Sequence, residues 1–277
     1  MESYRLEGQT FVIDDYDRKP AFSSFLPGLA GVKGIPLWTF YTNRGQGMNS
    51  FGIDNKGNAI MEFNSANTAF ENTQVKGFRT FLKIDGEYYE PFFTYEKEAK
   101  RQMRMNKNSF KIIETNEKYG IEVTVNYYVL PNESIGALVR QVSVKNIGDS
   151  AKEVQVIDGL PKIITYGIAN GEFKEMSNLF KSWADIRNLE NKVPYYTLRA
   201  STKDSAEVSD VEGGYYYLTV RDGKLQDVIY DVDTVFGYDL SLMTPVNFID
   251  GSIEGVLSKE QCFANKVPCG FTPFKEV

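Results

Sequence analysis

Along most of the chain, hydrophobic and polar residues alternate with a period of two, and turn residues break the alternation about every 8 to 12 positions. In IEVTVNYYVL (121–130), Ile121, Val123, Val125, Tyr127 and Val129 fall on one face, with Glu122, Thr124 and Asn126 opposite. LVRQVSVKN (138–146) and KEVQVID (152–158) read as strands joined by a hairpin turn at Asn146-Ile147-Gly148-Asp149. GFRTFLKI (77–84) runs through Asp85-Gly86 into EYYEPFFTY, and SFKIIET (109–115) turns between Asn116 and Gly120. GYYYLTV meets Asp222-Gly223 before LQDVIYD, and Lys56-Gly57-Asn58 marks a further hairpin. The pattern predicts an all-β fold, an antiparallel sandwich or barrel, in one domain without internal repeats.

One stretch departs from it. FKEMSNLFKSWADIRNLEN (173–191) places Phe173, Met176, Phe180 and Trp183 at three- and four-residue steps. That predicts the chain's one helix of more than two turns, lying on a sheet with Trp183 as a core aromatic. At the C-terminus, VPCGFTPFKEV begins as a strand and has no polar tail. The expectation is that residues 1–277 are the N-terminal part of a longer protein.

Composition narrows the chemistry. Tyr (17) and Phe (19) far outnumber Trp (2), which suits strands. A net charge of −6 without a basic stripe argues against nucleic acid as a partner. No charged leader with an apolar run and no membrane-length apolar stretch occurs, so the chain reads as soluble, cytoplasmic and without a membrane partner. Cys262 and Cys269 are too few for a disulfide framework and do not fit a zinc site; they read as structural thiols. The sequence contains 0 histidines. That excludes a Ser-His-Asp triad, a Cys-His pair and His-ligated metal, leaving carboxylates, Lys or Tyr for proton transfer.

Three motifs could carry function. The glycines of PGLAGVKGIP (27–36) match neither a dinucleotide fingerprint nor a P-loop, and read as a close backbone crossing. Asp14, Asp15 and Asp17 could hold a cation or a proton, but an Asp cluster ahead of a proline more often forms a solvated turn. In PLWTFYTNRGQG, Trp38, Tyr41, Asn43, Arg44 and Gln46 lie within nine residues, combining aromatic faces with planar polar groups as sugar sites do. The structural alternative is an arginine that pins the loop through backbone carbonyls.

The long segments FSSFLPGLAGVKGIPLWTFYTNRGQGMNSFGIDNKGNAIMEF, DGLPKIITYGIANGEFKEMSNLFKSWADIRNLENKVPYYTLRAST and GYYYL…VFGYDLSL resemble the N-terminal part of bacterial glycoside phosphorylases, relatives of cellobiose phosphorylase and 1,2-β-oligoglucan phosphorylase. The resemblance covers nearly the whole chain. It implies a galactose mutarotase-like β-supersandwich followed by an (α/α)₆ barrel. It also implies inverting phosphorolysis of β-glucan oligosaccharides, with inorganic phosphate as co-substrate, no other cofactor and an Asp general acid. That Asp belongs to the barrel, so no catalytic residue carries over and the chain alone is expected to be inactive. Trp38, Tyr41, Asn43, Arg44 and Gln46 become the expected substrate-binding edge, with the barrel and a second copy of the chain as the expected partners. A stand-alone carbohydrate-binding module and a purely structural domain remain the alternatives. Mutarotase chemistry itself uses His and is excluded.

Overall fold

The computed structural model describes residues 3–26, 36–93, 98–262 and 265–276. Antiparallel sheet dominates. Six strands form the largest sheet, in the order Tyr4–Glu7, Thr10–Asp14, Lys100–Met105, Ser109–Asn116, Ile121–Val129 and Leu138–Asn146. Two four-stranded sheets lie against it. One is ordered Gly270–Glu276, Val154–Leu160, Arg79–Ile84, Glu87–Tyr89; the other Ser23–Ser24, Leu37–Thr42, Met48–Ile53, Ala59–Met61.

Period-two alternation explains the layers. Ile121, Val123, Val125, Tyr127 and Val129 are all buried, and they meet Met48, Phe51, Leu82 and Val156 across the interface. Arg79–Ile84 is buried on both faces. Leu82 faces this core, while Phe81 joins Ile157 and Phe271 beneath the short helices Val232–Phe236, Val246–Asp250 and Ile253–Leu257. At the Asp85-Gly86 turn both φ angles are positive, 51° and 87°, a backbone whose twist matches the strands it joins. The C-terminal run is a strand, paired along its length with Val154–Leu160.

Two expectations are corrected. Leu138–Asn146 and Val154–Leu160 do not form a hairpin: the first pairs with Ile121–Val129, the second with Arg79–Ile84 and Gly270–Glu276. The Asn146–Asp149 turn thus carries the chain from one sheet to the next. The 173–191 helix is instead two short helices, Asn170–Glu175 and Ser177–Lys181, broken at Met176 and followed by the strand Ala184–Arg187. Phe173 and Phe180 still meet edge to face at 5.1 Å in a satellite core that includes half-buried Trp183. The longest helix among the described residues is Ala66–Lys76, which buries only Ala69 and Thr73. So narrow a buried stripe left no apolar pattern in the sequence. No helix among the described residues is long and apolar enough to cross a membrane. The glycine segment 27–35 lies outside the described residues.

Candidate functional site

The turn between Leu37–Thr42 and Met48–Ile53 holds Asn43, Arg44 and Gln46, and it is wedged between all three large sheets. Gly45 and Gly47 give it the positive φ angles it needs, 49° and 83°. A Cβ on Gly47 would strike the Phe110 ring at 2.7 Å, so only glycine allows the turn to press against the six-stranded sheet.

Asn43 is fully buried. Its Nδ2 donates to the carbonyls of Tyr16 (2.9 Å) and Pro20 (3.0 Å), and its Oδ1 accepts the Phe22 N–H (2.9 Å). One carboxamide therefore ties the turn to the 16–22 segment. Arg44 donates to the carbonyls of Asn43 (2.7 Å) and Lys19 (3.3 Å) and lies over the Phe70 ring at 6.0 Å. Tyr41 is buried, stacked on Phe110 at 4.6 Å. Half-buried Trp38 donates its indole N–H to the Asn55 carbonyl (2.9 Å) and meets Phe63 edge to face.

Gln46 lies in a second cluster. Its Nε2 donates to Thr80 Oγ1 (3.1 Å), whose hydroxyl donates to Asp158 Oδ1 (2.6 Å). Arg140 closes the ring by donating to the Asp158 carboxylate and the Gln46 Oε1, and its Nε donates to the Tyr127 hydroxyl (3.0 Å). Burial works against the charge of Arg140, but Asp158 and Tyr127 hold its pKa above the ordinary arginine value. Burial pushes the Tyr127 and Tyr217 hydroxyls up to about 12. Both Asp158 oxygens are engaged inside the fold, so the cluster is a polar tie between sheets. It presents no open proton donor or acceptor to a substrate.

One member of the Asp cluster is likewise internal. Asp17, only 5% exposed at its side chain, pairs with Arg101 (2.5 Å), which also binds buried Glu114 (2.6 Å). Burial raises the Glu114 carboxyl, against the pull of Arg101. Asp14 accepts from Gln102 (2.8 Å) and pairs with Arg5. The solvated-turn expectation fails at Asp17, because Arg101 reaches it from the neighbouring strand. No three His, Cys, Asp or Glu side chains among the described residues are grouped to hold a metal ion. Cys269 is buried and Cys262 exposed, both as free thiols.

The structure thus brings Asn43, Arg44 and Gln46 into one turn but faces them inward, with Trp38 and Tyr41 on the adjoining strand. Arg140, Arg101 and Glu114 went unnoticed in the sequence, although each sits on the inward parity of its strand beside buried apolar residues. A charge on that parity is the available signal for a buried ion pair.

An outward feature complements these ties. Buried Arg79 pairs with Glu90 (2.7 Å) and donates to the carbonyls of Leu242 and Met243 (2.9 Å for the latter). Asp239 accepts from Ser241 N (2.9 Å) and Thr244 N (2.7 Å), and Leu242 is held at φ 61°. The loop so fixed exposes Tyr238 (82%), Leu240 (87%) and Met243 (39%). No protein-family model matches the chain, and no curated protein matches it in sequence.

Proposed function

We propose that the chain is the non-catalytic sandwich domain of a cytoplasmic glycoside phosphorylase acting on β-glucan oligosaccharides, and that it works by docking against the catalytic (α/α)₆ barrel. The sequence resemblance supplies the reaction class. The observation that favours docking over sugar capture at residues 38–46 is the contrast between that inward turn and the 238–243 loop. The loop backbone is already held by Arg79 and Asp239, so association has chiefly the exposed side chains left to order. Burying a tyrosine or leucine contributes about 1.5–3 kcal/mol. The internal engagement of Asp17 and Asp158 fits a domain that leaves the general acid to its partner.

Two assays test this reading. Given β-glucan oligosaccharides and phosphate, the chain alone releases glucose 1-phosphate only at background; mixed with the proposed (α/α)₆ barrel, it supports release. Robust release by residues 1–277 alone overturns the proposal.

A further inference from the structure

Two residues beyond the Val154–Leu160 strand, Lys162 lines a narrow cleft beside the C-terminal end of the Ala66–Lys76 helix. Glu62 and Lys76 line the same cleft. Leu160, Pro161, Ile163 and Ile164 are buried and fix the Lys162 backbone, while its side chain keeps 24% exposure. The Lys162 ammonium stands 3.2 Å from the Glu62 carboxylate and 4.4 Å from the centre of the buried Phe173 ring. Lys76 is exposed and makes no ion pair among the described residues. The enclosed volume of about 10 Å³ holds no more than one water, so a larger molecule meets Lys162 only from the solvent side.

A lysine attacks a carbonyl carbon only as the free amine, and lost hydration beside other cations favours that form. Burial lowers the Lys162 pKa from the ordinary lysine value; Glu62 opposes it, and Lys76 and Lys181 add to the lowering. Glu62 also offers a proton acceptor in hydrogen-bond contact with the amine. Lys76, with its charge uncompensated by an ion pair, favours an electrophile that carries negative charge close to its carbonyl. In an acyl phosphate one bridging oxygen separates the two, a span suited to two amines on one narrow cleft. We infer that Lys162 is a site of Nε-acylation by small acyl phosphates, with Glu62 accepting the ammonium proton and Lys76 drawing in the phosphate. The freed Lys162 Nζ attacks the carbonyl carbon, a C–N bond forms, and the bond from that carbon to the bridging oxygen breaks. Phosphate leaves with the electron pair and takes the second proton that the amine gives up, while Glu62 passes the first to water. This site is separate from the 38–46 turn and does not rest on the docking reading.

The test is the initial rate of acetylation at each lysine of the folded chain, read by peptide mass spectrometry at about pH 8. Acetyl phosphate is one reagent, and the uncharged N-hydroxysuccinimidyl acetate is the other. With acetyl phosphate, Lys162 is expected to react at least about fivefold faster than the exposed Lys107 and Lys203, since each unit of lowered pKa gives about tenfold more free amine. Lys76→Met, at an exposed position, is expected to keep the fold. At Lys162 it should reduce the rate with acetyl phosphate, relative to the rate with the uncharged reagent, at least about threefold. Two outcomes overturn the inference. One is acetylation of Lys162 by acetyl phosphate no faster than that of Lys107 and Lys203. The other is an equal effect of Lys76→Met on both reagents, which would leave Lys76 no part in holding the phosphate.

Discussion

Replacing Asn43 by alanine separates an internal clamp from a sugar edge. The carboxamide makes three hydrogen bonds of 2.9–3.0 Å in a site with no exposure. Each such bond contributes about 1 kcal/mol net, and a donor left buried without a partner costs about 1–3 kcal/mol. The Tyr16 carbonyl keeps the Lys19 N–H at 3.2 Å, and the Pro20 carbonyl belongs to an exposed residue that water can reach. The Phe22 N–H has no such replacement at hand. With about 1 kcal/mol for each of the two bonds to carbonyls and about 1–3 kcal/mol for the orphaned Phe22 N–H, the loss is about 3–5 kcal/mol. With a urea m-value of about 3–4 kcal/mol/M for a chain of this size, the unfolding midpoint should fall by about 1 M. Equilibrium urea unfolding, followed by tyrosine and tryptophan fluorescence, measures it. A loss below about 0.5 kcal/mol, the range of an ordinary surface change, would refute the clamp and return Asn43 to the sugar edge.

Arg44→Ala should cost about 1–2 kcal/mol in the same assay, because the guanidinium holds two backbone carbonyls; an unchanged midpoint would show that those contacts carry no stability. Arg140→Met should cost about 3–5 kcal/mol by leaving Asp158 without its charge partner. Arg140→Met/Asp158→Leu should cost clearly less than the two single changes added together, and strict additivity in this double-mutant cycle would count against the tie. The Asp239 carboxyl lies below the ordinary aspartate value: burial raises it, but the hydroxyl of Ser241 and the backbone N–H groups of Thr244, Ser241 and Met243 outweigh burial. A carboxyl depressed by folding contributes stability above its unfolded pKa and loses it as pH falls through the folded value. Wild type should therefore exceed Asp239→Asn in stability at about pH 6, with the gap closing by about pH 2; a gap constant across that range would refute the assignment.

The sheets were legible because alternation and turn chemistry act locally. Ile121 to Val129 buries every second residue, and Asp85-Gly86 adopts the two positive φ angles of a hairpin turn. Pairing between distant strands was not legible. Asn146–Asp149 has turn chemistry, but the partners of Val154–Leu160 come from residues 79–84 and 270–276, which no local pattern names. The 66–76 helix escaped because its inward face is an alanine and a threonine.

The candidate site was legible as a cluster but not in its direction. Asn, Arg and Gln serve a buried turn as well as a sugar edge, since both need planar groups with paired donors and acceptors. The discriminating fact is that Tyr16, Lys19, Pro20 and Phe22 lie against Asn43 and Arg44, and that packing is tertiary. Arg140 was the accessible clue to the second cluster. It shares parity with Leu138, Val142 and Val144, which pack on the core, so its charge had to find a partner inside.

The proposed docking through the 238–243 loop is tested most directly by the affinity of the chain for the (α/α)₆ barrel proposed as its partner, measured by isothermal titration with wild type and with Leu240→Asp. Leu240 is 87% exposed, so the variant should unfold at the wild-type midpoint. The account predicts saturable association by the wild type and a loss of at least about tenfold in the variant, from placing a carboxylate where an apolar side chain is buried. Equal affinity of the two proteins, or no association by the wild type, would contradict it.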